Sequence, residues 1–408
     1  MARYILVPKR DIAVSLLNFA DICFSETARR KQVKQLKKLR KEVEQRTQQA
    51  KFVAESAKSL KATKLASPTQ ETQITGVTIL EAPPGSLNTL RAYFREYDVM
   101  EDLEVTLIPP TRTKTHVKKA ADVDTWHLEA VQLLRARRSG FSGTGKGVGV
   151  AILDTGIQEV REIRGRVKAS FKVDGETGQI EEVPSQDTDG HGTHVAGLVA
   201  GSTVGVAPYA DLMNFIMIPG GYGKLSDFVL AIEFVATQPE ISIMNMSAGI
   251  PGFHEGMKGS LRALLGVGVL PVIAIGNEGA NTSRSPGNYT EALSVGASTK
   301  QDKVASFSGG GTMVVHNQSY IIPDLVAPGQ AVTSCVMDGG YESWNGTSMA
   351  TPLVSGIATL IIEANPLITE PDLRAELYEN ARSFLNVPPQ RQGGGLCQLP
   401  QRLWFAGA

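Results

Sequence analysis

Cysteine is scarce in this chain of 408 residues: Cys23, Cys335 and Cys397, an odd number at wide spacing. That spacing implies neither a disulfide framework nor a zinc site. Cys335 lies in a run of small and apolar residues and reads as a buried small hydrophobe rather than a reactive thiol. Aromatic residues make up only 6%, so valine, isoleucine, leucine and alanine must fill the core. Charge of one sign is not in excess, with 41 basic against 41 acidic residues, which removes any global bias towards nucleic acid or an anionic membrane. No stretch approaches the roughly 18 apolar residues needed to span a bilayer. No secretory signal is recognisable either. Charges break the first apolar stretch at Lys9-Arg10-Asp11, and the run from Ile12 to Phe24 contains Asn18 and Asp21. The expectation is a cytoplasmic protein.

What is present divides into regions. Residues 1–72 read as an N-terminal extension. Between Glu26 and Lys64 thirteen lysines and arginines stand against four glutamates, a net of +9. Val33, Leu36, Val43, Ala50, Ala54 and Ala57 fall at three-, four- or seven-residue spacing, which predicts a basic amphipathic helix over 25–65. Arg40 and Thr47 interrupt the stripe. The plain reading is a solvated helical arm; a partner, membrane-surface or nucleic-acid contact is the other, and the partner is unknown. Residues 73–117 read as a small α+β unit. Val77 and Ile79 flank Thr78, and Leu103, Val105 and Leu107 alternate with polar residues, so both are strands. Leu87 to Tyr97 is helix-like. Residues 118–385 follow a βαβ pattern, and 386–408 form a C-terminal tail. Gly147 to Leu153, Ile241 to Met246 and Val269 to Ala274 are candidate central parallel strands. Pro271 cannot donate to a ladder and belongs near its strand's start. Helical stretches at Leu225 to Thr237 and Gly259 to Leu265 lie between strands. The fold class is therefore α/β, a parallel central sheet with helices on both faces, preceded by the small α+β unit.

Three segments carry the chemistry: Ala151-Ile152-Leu153-Asp154-Thr155-Gly156, Asp189-Gly190-His191-Gly192-Thr193-His194 and Gly346-Thr347-Ser348-Met349-Ala350-Thr351-Pro352. They supply a carboxylate, an imidazole and a hydroxyl. A hydroxyl is a poor nucleophile at neutral pH and needs an adjacent base, which a carboxylate can orient. Asp154 ends an apolar strand, where active residues of open α/β sheets collect. His191 and His194 are three apart with no intervening glutamate, which does not fit a helical zinc pair. His194 reads as a buried packing residue. Ser348 is placed at a helix start, where free N–H groups face a substrate.

With these blocks in the order Asp, His, Ser, and with Ala274-Ile275-Gly276-Asn277-Glu278-Gly279 between the second and third, the chain resembles the subtilisin-like serine proteases (subtilases, peptidase family S8) over roughly 118–385. The resemblance implies a hydrolase, a serine endopeptidase acting through a Ser348 acyl-enzyme. Its catalytic set would be Asp154, His191 and Ser348, with Asn277 in the oxyanion hole. Ser247-Ala248-Gly249 resembles the family's substrate-aligning strand, and Ala274 and Gly276 would line the pocket for the residue before the cut. Small residues there imply a roomy apolar pocket. The partner is a peptide or protein substrate. Residues 73–115 resemble in size and position an inhibitory propeptide whose end, Pro110 to Thr115, would cross the active site; a permanent structural domain fits the same pattern. No organic cofactor and no metal are expected. Calcium is compatible with the resemblance, but no acidic cluster marks a site, and Asp187 and Asp189 read as solvated loop residues. Secretion is the alternative location, since the family is often secreted. Two other readings stay open: a catalytically quiet scaffold on this fold, and an esterase or ligase using the same acyl-enzyme.

Overall fold

The computed structural model describes residues 2–9, 22–46, 63–64, 75–175 and 177–404. Its centre is an eight-stranded sheet in the spatial order Leu325–Pro328, Leu293–Ser298, Leu270–Ala274, Ile241–Met246, Gly149–Asp154, Asp211–Ile216, Val167–Asp174, Gln179–Glu182. Every pairing is parallel except the last, where Gln179–Glu182 runs back against its neighbour. The strand Gly149–Asp154 shows why its sequence is apolar throughout. Side chains alternate across a sheet, and here both faces are covered. Val150 and Ile152 join the core beneath the helices His191–Ala200 and Thr347–Ala364. Ala151 and Leu153 join the other core, with Leu225–Ala236 and Lys258–Gly266. Pro271 is the second residue of its strand, as its missing donor requires.

The helix Thr347–Ala364 is long and apolar enough to cross a membrane by length and composition, but 89% of it is buried inside the fold. No run that long was expected from the sequence, where Ser, Thr and Pro interleave with the aliphatic residues. The chain after residue 385 is not a tail. Cys397, Leu399, Leu403 and Trp404 are buried in the main core, and Leu396 is buried in a smaller cluster with Val326, with which it also pairs, and Phe384.

The small N-terminal unit is an antiparallel sheet in the order Thr63–Lys64, Thr78–Ala82, Ala2–Pro8, Tyr97–Glu101, with the helix Leu87–Tyr93. Its central strand is thus the first described stretch of the chain, so a boundary at residue 72 would cut through the unit. The pairing Ile5–Ile79 spans a sequence separation that local patterning does not reveal. One face of this sheet holds its own core of Tyr4, Leu6, Leu80, Leu90, Phe94 and Val99. The other, with Ile5, Val7, Val77 and Ile79, packs into the core that also contains Leu225–Ala236 and Lys258–Gly266. Asp102 caps the first of those helices, accepting from Ser226 N at 2.9 Å and from Ser226 Oγ at 2.8 Å. Such a cap contributes on the order of 1 kcal/mol.

The basic helix is described over Glu26–Arg46. Residues 47–62, with Ala50, Ala54 and Ala57, lie outside the described residues. Its first half is not a solvated arm. Val33 and Leu36 are buried against the main domain, Leu39 packs beside them, and the buried Arg29 donates to Pro239 O at 2.8 Å. Burial pulls the Arg29 guanidinium down to about 10. Lys31, Lys34 and Lys37 face outward, which is why the composition is basic although the helix is docked.

Candidate active site

The strand Gly149–Asp154 delivers Asp154 at its carboxyl end, and the helix His191–Ala200 begins with His191. Asp154 Oδ1 and His191 Nδ1 lie 2.8 Å apart, both side chains fully buried. Thr155 N donates to the same oxygen at 2.8 Å. A carboxylate so held orients the imidazole and leaves Nε2 as the free ring nitrogen. Gly192 is needed for this approach, since a Cβ there would meet Gly156 O at 2.0 Å and Asp154 Cβ at 3.1 Å.

Asp187 organises the helix start, which corrects its reading as a solvated loop residue. It accepts from Thr155 Oγ1 (2.7 Å), Asp189 N (3.0 Å), Gly190 N (2.9 Å), Thr193 N (2.8 Å) and Thr193 Oγ1 (2.6 Å). A carboxylate accepting the orphan N–H groups of a helix's first turn is stabilised there and rigidifies it. Nothing in the local pattern distinguishes it from an exposed aspartate; the signal would have been its place four residues before the imidazole.

Ser348 is the second residue of the helix Thr347–Ala364. Asn277 lies beyond the end of Leu270–Ala274. Its Oδ1 accepts from Thr347 N and Thr347 Oγ1, each at 2.9 Å, which turns Nδ2 towards the cleft. The His191 ring centre lies 6.2 Å from that of Trp344, four residues before Ser348, so the Asp154–His191 pair and the Asn277–Thr347 contact border one place.

That place is occupied by the chain itself. Glu104–Leu107 lies between Tyr222–Lys224 and Ala248–Pro251 as the middle strand of an antiparallel ladder, with Leu107 opposite Ala248 and Thr106 opposite Gly249. Ile108 N donates to Ser247 O at 3.3 Å. Ser348 Oγ donates to Ile108 O at 3.2 Å, and Asn277 Nδ2 donates to Pro109 O at 3.1 Å. The hydroxyl and the amide thus meet two successive carbonyls, not one. Among the described residues His191 Nε2 has no hydrogen-bond partner. Beyond Pro110 the chain leaves as Thr111–Val117, paired with Tyr341–Asn345.

Of the predicted peptide-binding residues, Ser247, Ala248 and Gly249 meet this segment directly. Ala274 and Gly276 make no hydrogen bond to it among the described residues. Arg284 packs against Gly276, where the sequence predicts a roomy apolar pocket, and against Gly249. A Cβ on Gly249 would lie 3.2 Å from Arg284 Cβ, and one on Gly276 would lie 3.3 Å from Arg284 Cγ and 2.8 Å from Glu278 Oε2. Arg284 pairs with Glu278 at 2.6 Å and donates to Gly249 O (3.1 Å) and Thr106 Oγ1 (3.0 Å). Sequence reading missed it because the segment Asn281–Ser285 carries no motif.

His194 is buried. Its Nε2 bonds Glu342 O at 3.0 Å, and its ring stacks on Trp344 at 4.1 Å. Burial pulls its imidazole down to about 3. Burial also pushes the Cys335 thiol up to about 12, away from reactivity. Among the described residues no group of three or more His, Cys, Asp or Glu could hold a metal ion.

The chain is similar to known proteins over most of its length. A family model described as the subtilase family matches residues 145–395. Alkaline elastase YaB of Bacillus sp. (strain YaB) is 35% identical over 298 residues, 70% of this chain and 73% of that protein. M-protease of Shouchella clausii (strain KSM-K16) is 34% identical over 299 residues, with coverage of 70% and 73%. An intracellular serine protease of Paenibacillus polymyxa is 34% identical over 291 residues, 66% of this chain and 84% of that protein.

Proposed function

The chain belongs to the subtilase family and is a serine endopeptidase, and we propose that Ser348 is its nucleophile, His191 its general base and acid, Asp154 the orienting carboxylate and Asn277 an oxyanion donor. His191 Nε2 takes the Ser348 proton as Oγ attacks the carbonyl carbon. The Asn277 amide and the Ser348 N–H hold the oxygen as it gains charge, and they bind it more strongly than the ground-state carbonyl. His191 then gives its proton to the leaving nitrogen. Water repeats the sequence on the acyl-enzyme. No organic cofactor or metal takes part in this scheme. The observation that carries it is the buried 2.8 Å pair of Asp154 and His191 beside a hydroxyl and an amide that both contact backbone carbonyls in one cleft.

We further propose that residues 2–8 and 75–117 act together as an autoinhibitory unit. A tethered segment has a high effective concentration, so modest intrinsic affinity suffices to fill the cleft. The register supports inhibition without turnover. Ladder pairing makes Ile108 the residue before the cut, yet the Asn277 amide holds the next carbonyl. Both bonds within reach, Ile108–Pro109 and Pro109–Pro110, have a proline nitrogen as leaving group. The compartment proposed is the cytoplasm, with secretion as the alternative, and fractionation of cells against medium measures it. One relative is named as intracellular.

Peptide hydrolysis by the chain and its variants, measured after residues 108–118 have been severed, tests the assignments. Ser348→Ala should remove about 10⁶ in kcat, the loss seen when a serine nucleophile of this kind is deleted. Asn277→Leu should remove about 10²–10³ with little change in KM. Turnover by Ser348→Ala within tenfold of the wild type would refute the nucleophile assignment.

A further inference from the structure

Beyond Pro110 the segment runs along Tyr341–Asn345, and Arg112 lies directly opposite Trp344. The Arg112 guanidinium carbon stands 4.6 Å over the centre of the Trp344 ring. Its Nη2 donates to Asp189 Oδ1 at 2.6 Å and reaches Asp189 O at 3.5 Å. The ring is fixed without help from the segment. Its other face stacks on His194 at 4.1 Å with planes 7° apart, and its N–H donates to Glu342 Oε2 at 2.9 Å. Glu342 O in turn holds His194 Nε2 at 3.0 Å. Trp344 is 1% exposed while the segment is in place. Withdrawal of Thr111–Val117 would therefore bare an aromatic face bordered by the Asp189 carboxylate. A flat cation satisfies such a place through the ring's negative face and the carboxylate together. A second basic side chain of the same strand, His116, lies 3.5 Å from both Asp338 and Glu342, so the surroundings are acidic along the strand's path.

We propose that Trp344 and Asp189 form a guanidinium-binding subsite on the leaving-group side of the cleft. Arg112 fills it in the intact chain, and an arginine of a substrate fills it once the segment has left. Counted from Ile108 as the residue before the cut, the preferred arginine is the fourth residue beyond it. The substrate half of this inference rests on the reading of Ser348 as nucleophile. Arginine is favoured over lysine because a planar guanidinium can lie flat on the ring while its edge donates to the carboxylate; an ammonium cannot do both as well.

Two measurements test the subsite, and the first needs no catalysis. Hydrogen exchange of the Thr111–Val117 amides is followed in the full chain carrying Ser348→Ala. Adding Arg112→Gln should speed exchange by about 5- to 10-fold, from the loss of an exposed cation–π contact and ion pair. Arg112→Lys should fall between. Asp189→Asn should speed exchange when Arg112 is present and do nothing further in the Arg112→Gln background. The second measurement compares kcat/KM of the processed wild type on matched peptides with Arg, Lys or Gln at the fourth position beyond the cut. Arg should exceed Gln by about 5-fold or more, and Asp189→Asn should erase most of that gap. Unchanged exchange in Arg112→Gln overturns the subsite, as does equal cutting of the Arg and Gln peptides. A chain that cuts no peptide but shows the exchange differences keeps the subsite and refutes the nucleophile assignment instead.

Discussion

Arg284 shows how a single residue redirects an inherited cleft. Ala274 and Gly276 read as lining a roomy pocket, and Arg284, paired with Glu278, packs against Gly276. Arg284→Ala should open the pocket towards large apolar residues before the cut. One added methylene in such a pocket is worth about 10-fold or more in kcat/KM, so a phenylalanine peptide should gain at least that much over a valine peptide. An unchanged ratio of the two peptides would show that Arg284 lies outside the specificity pocket. His194 allows a second test. Inside the fold its imidazole stays neutral to about pH 3, because burial disfavours the charged ring, whereas in the unfolded chain it protonates near its ordinary 6.5. Its contribution to stability is thus present above about pH 6.5 and is lost as pH falls towards 3. Between those values the unfolded state binds the extra proton. The wild type's unfolding free energy should therefore fall with pH more steeply than that of His194→Gln between pH 6 and 4. The difference is at most one proton, about 1.4 kcal/mol per pH unit. Equal slopes would mean that His194 is protonated in the fold. At this scale Asp154, His191, Ser348 and Asn277 were legible because each sits in a distinctive short block. Arg284, Asp187 and Trp344 were not, because their roles come from neighbours distant in sequence.

Among elements, the segment 104–117 is the one proposed to decide whether the site can act. Its strand character was legible from the alternation of Leu103, Val105 and Leu107. Its position, between Tyr222–Lys224 and Ala248–Pro251 in a ladder, was not, because the partners lie more than a hundred residues away. The two prolines matter for the bond to be broken. Pro109→Ala turns Ile108–Pro109 into an ordinary secondary amide and frees the backbone to bring one carbonyl to both Ser348 and Asn277. That variant should cut itself between residues 108 and 109, seen by intact mass, and the same change with Ser348→Ala should stay whole. A Pro109→Ala chain that stays intact beside an active cleft would assign the resistance to something other than the proline bonds. The elements of the main sheet were legible to within two residues at Ile241–Met246 and Leu270–Ala274, since strands covered on both faces must be apolar on both. The N-terminal sheet was half legible. Its central strand, Ala2–Pro8, joins partners about seventy and ninety residues on, across a basic helix that reads as a separate arm.

For the whole molecule, the account is of a serine endopeptidase that holds part of its own chain in its cleft. Asp154, His191 and Ser348 are each fully buried with residues 104–117 in place. Ile5, Val7, Val77 and Ile79 dock the N-terminal sheet on the main domain, and Val33 and Leu36 add the basic helix to the same core. The most direct test is the rate at which a fluorophosphonate serine probe adds its mass to the purified full chain, followed by intact mass spectrometry before and after the segment is cut. The account predicts slow labelling of the intact chain, fast single labelling at Ser348 once residues 108–118 are severed, and none in Ser348→Ala. Equal labelling of intact and severed chains, or labelling that persists in Ser348→Ala, would contradict it.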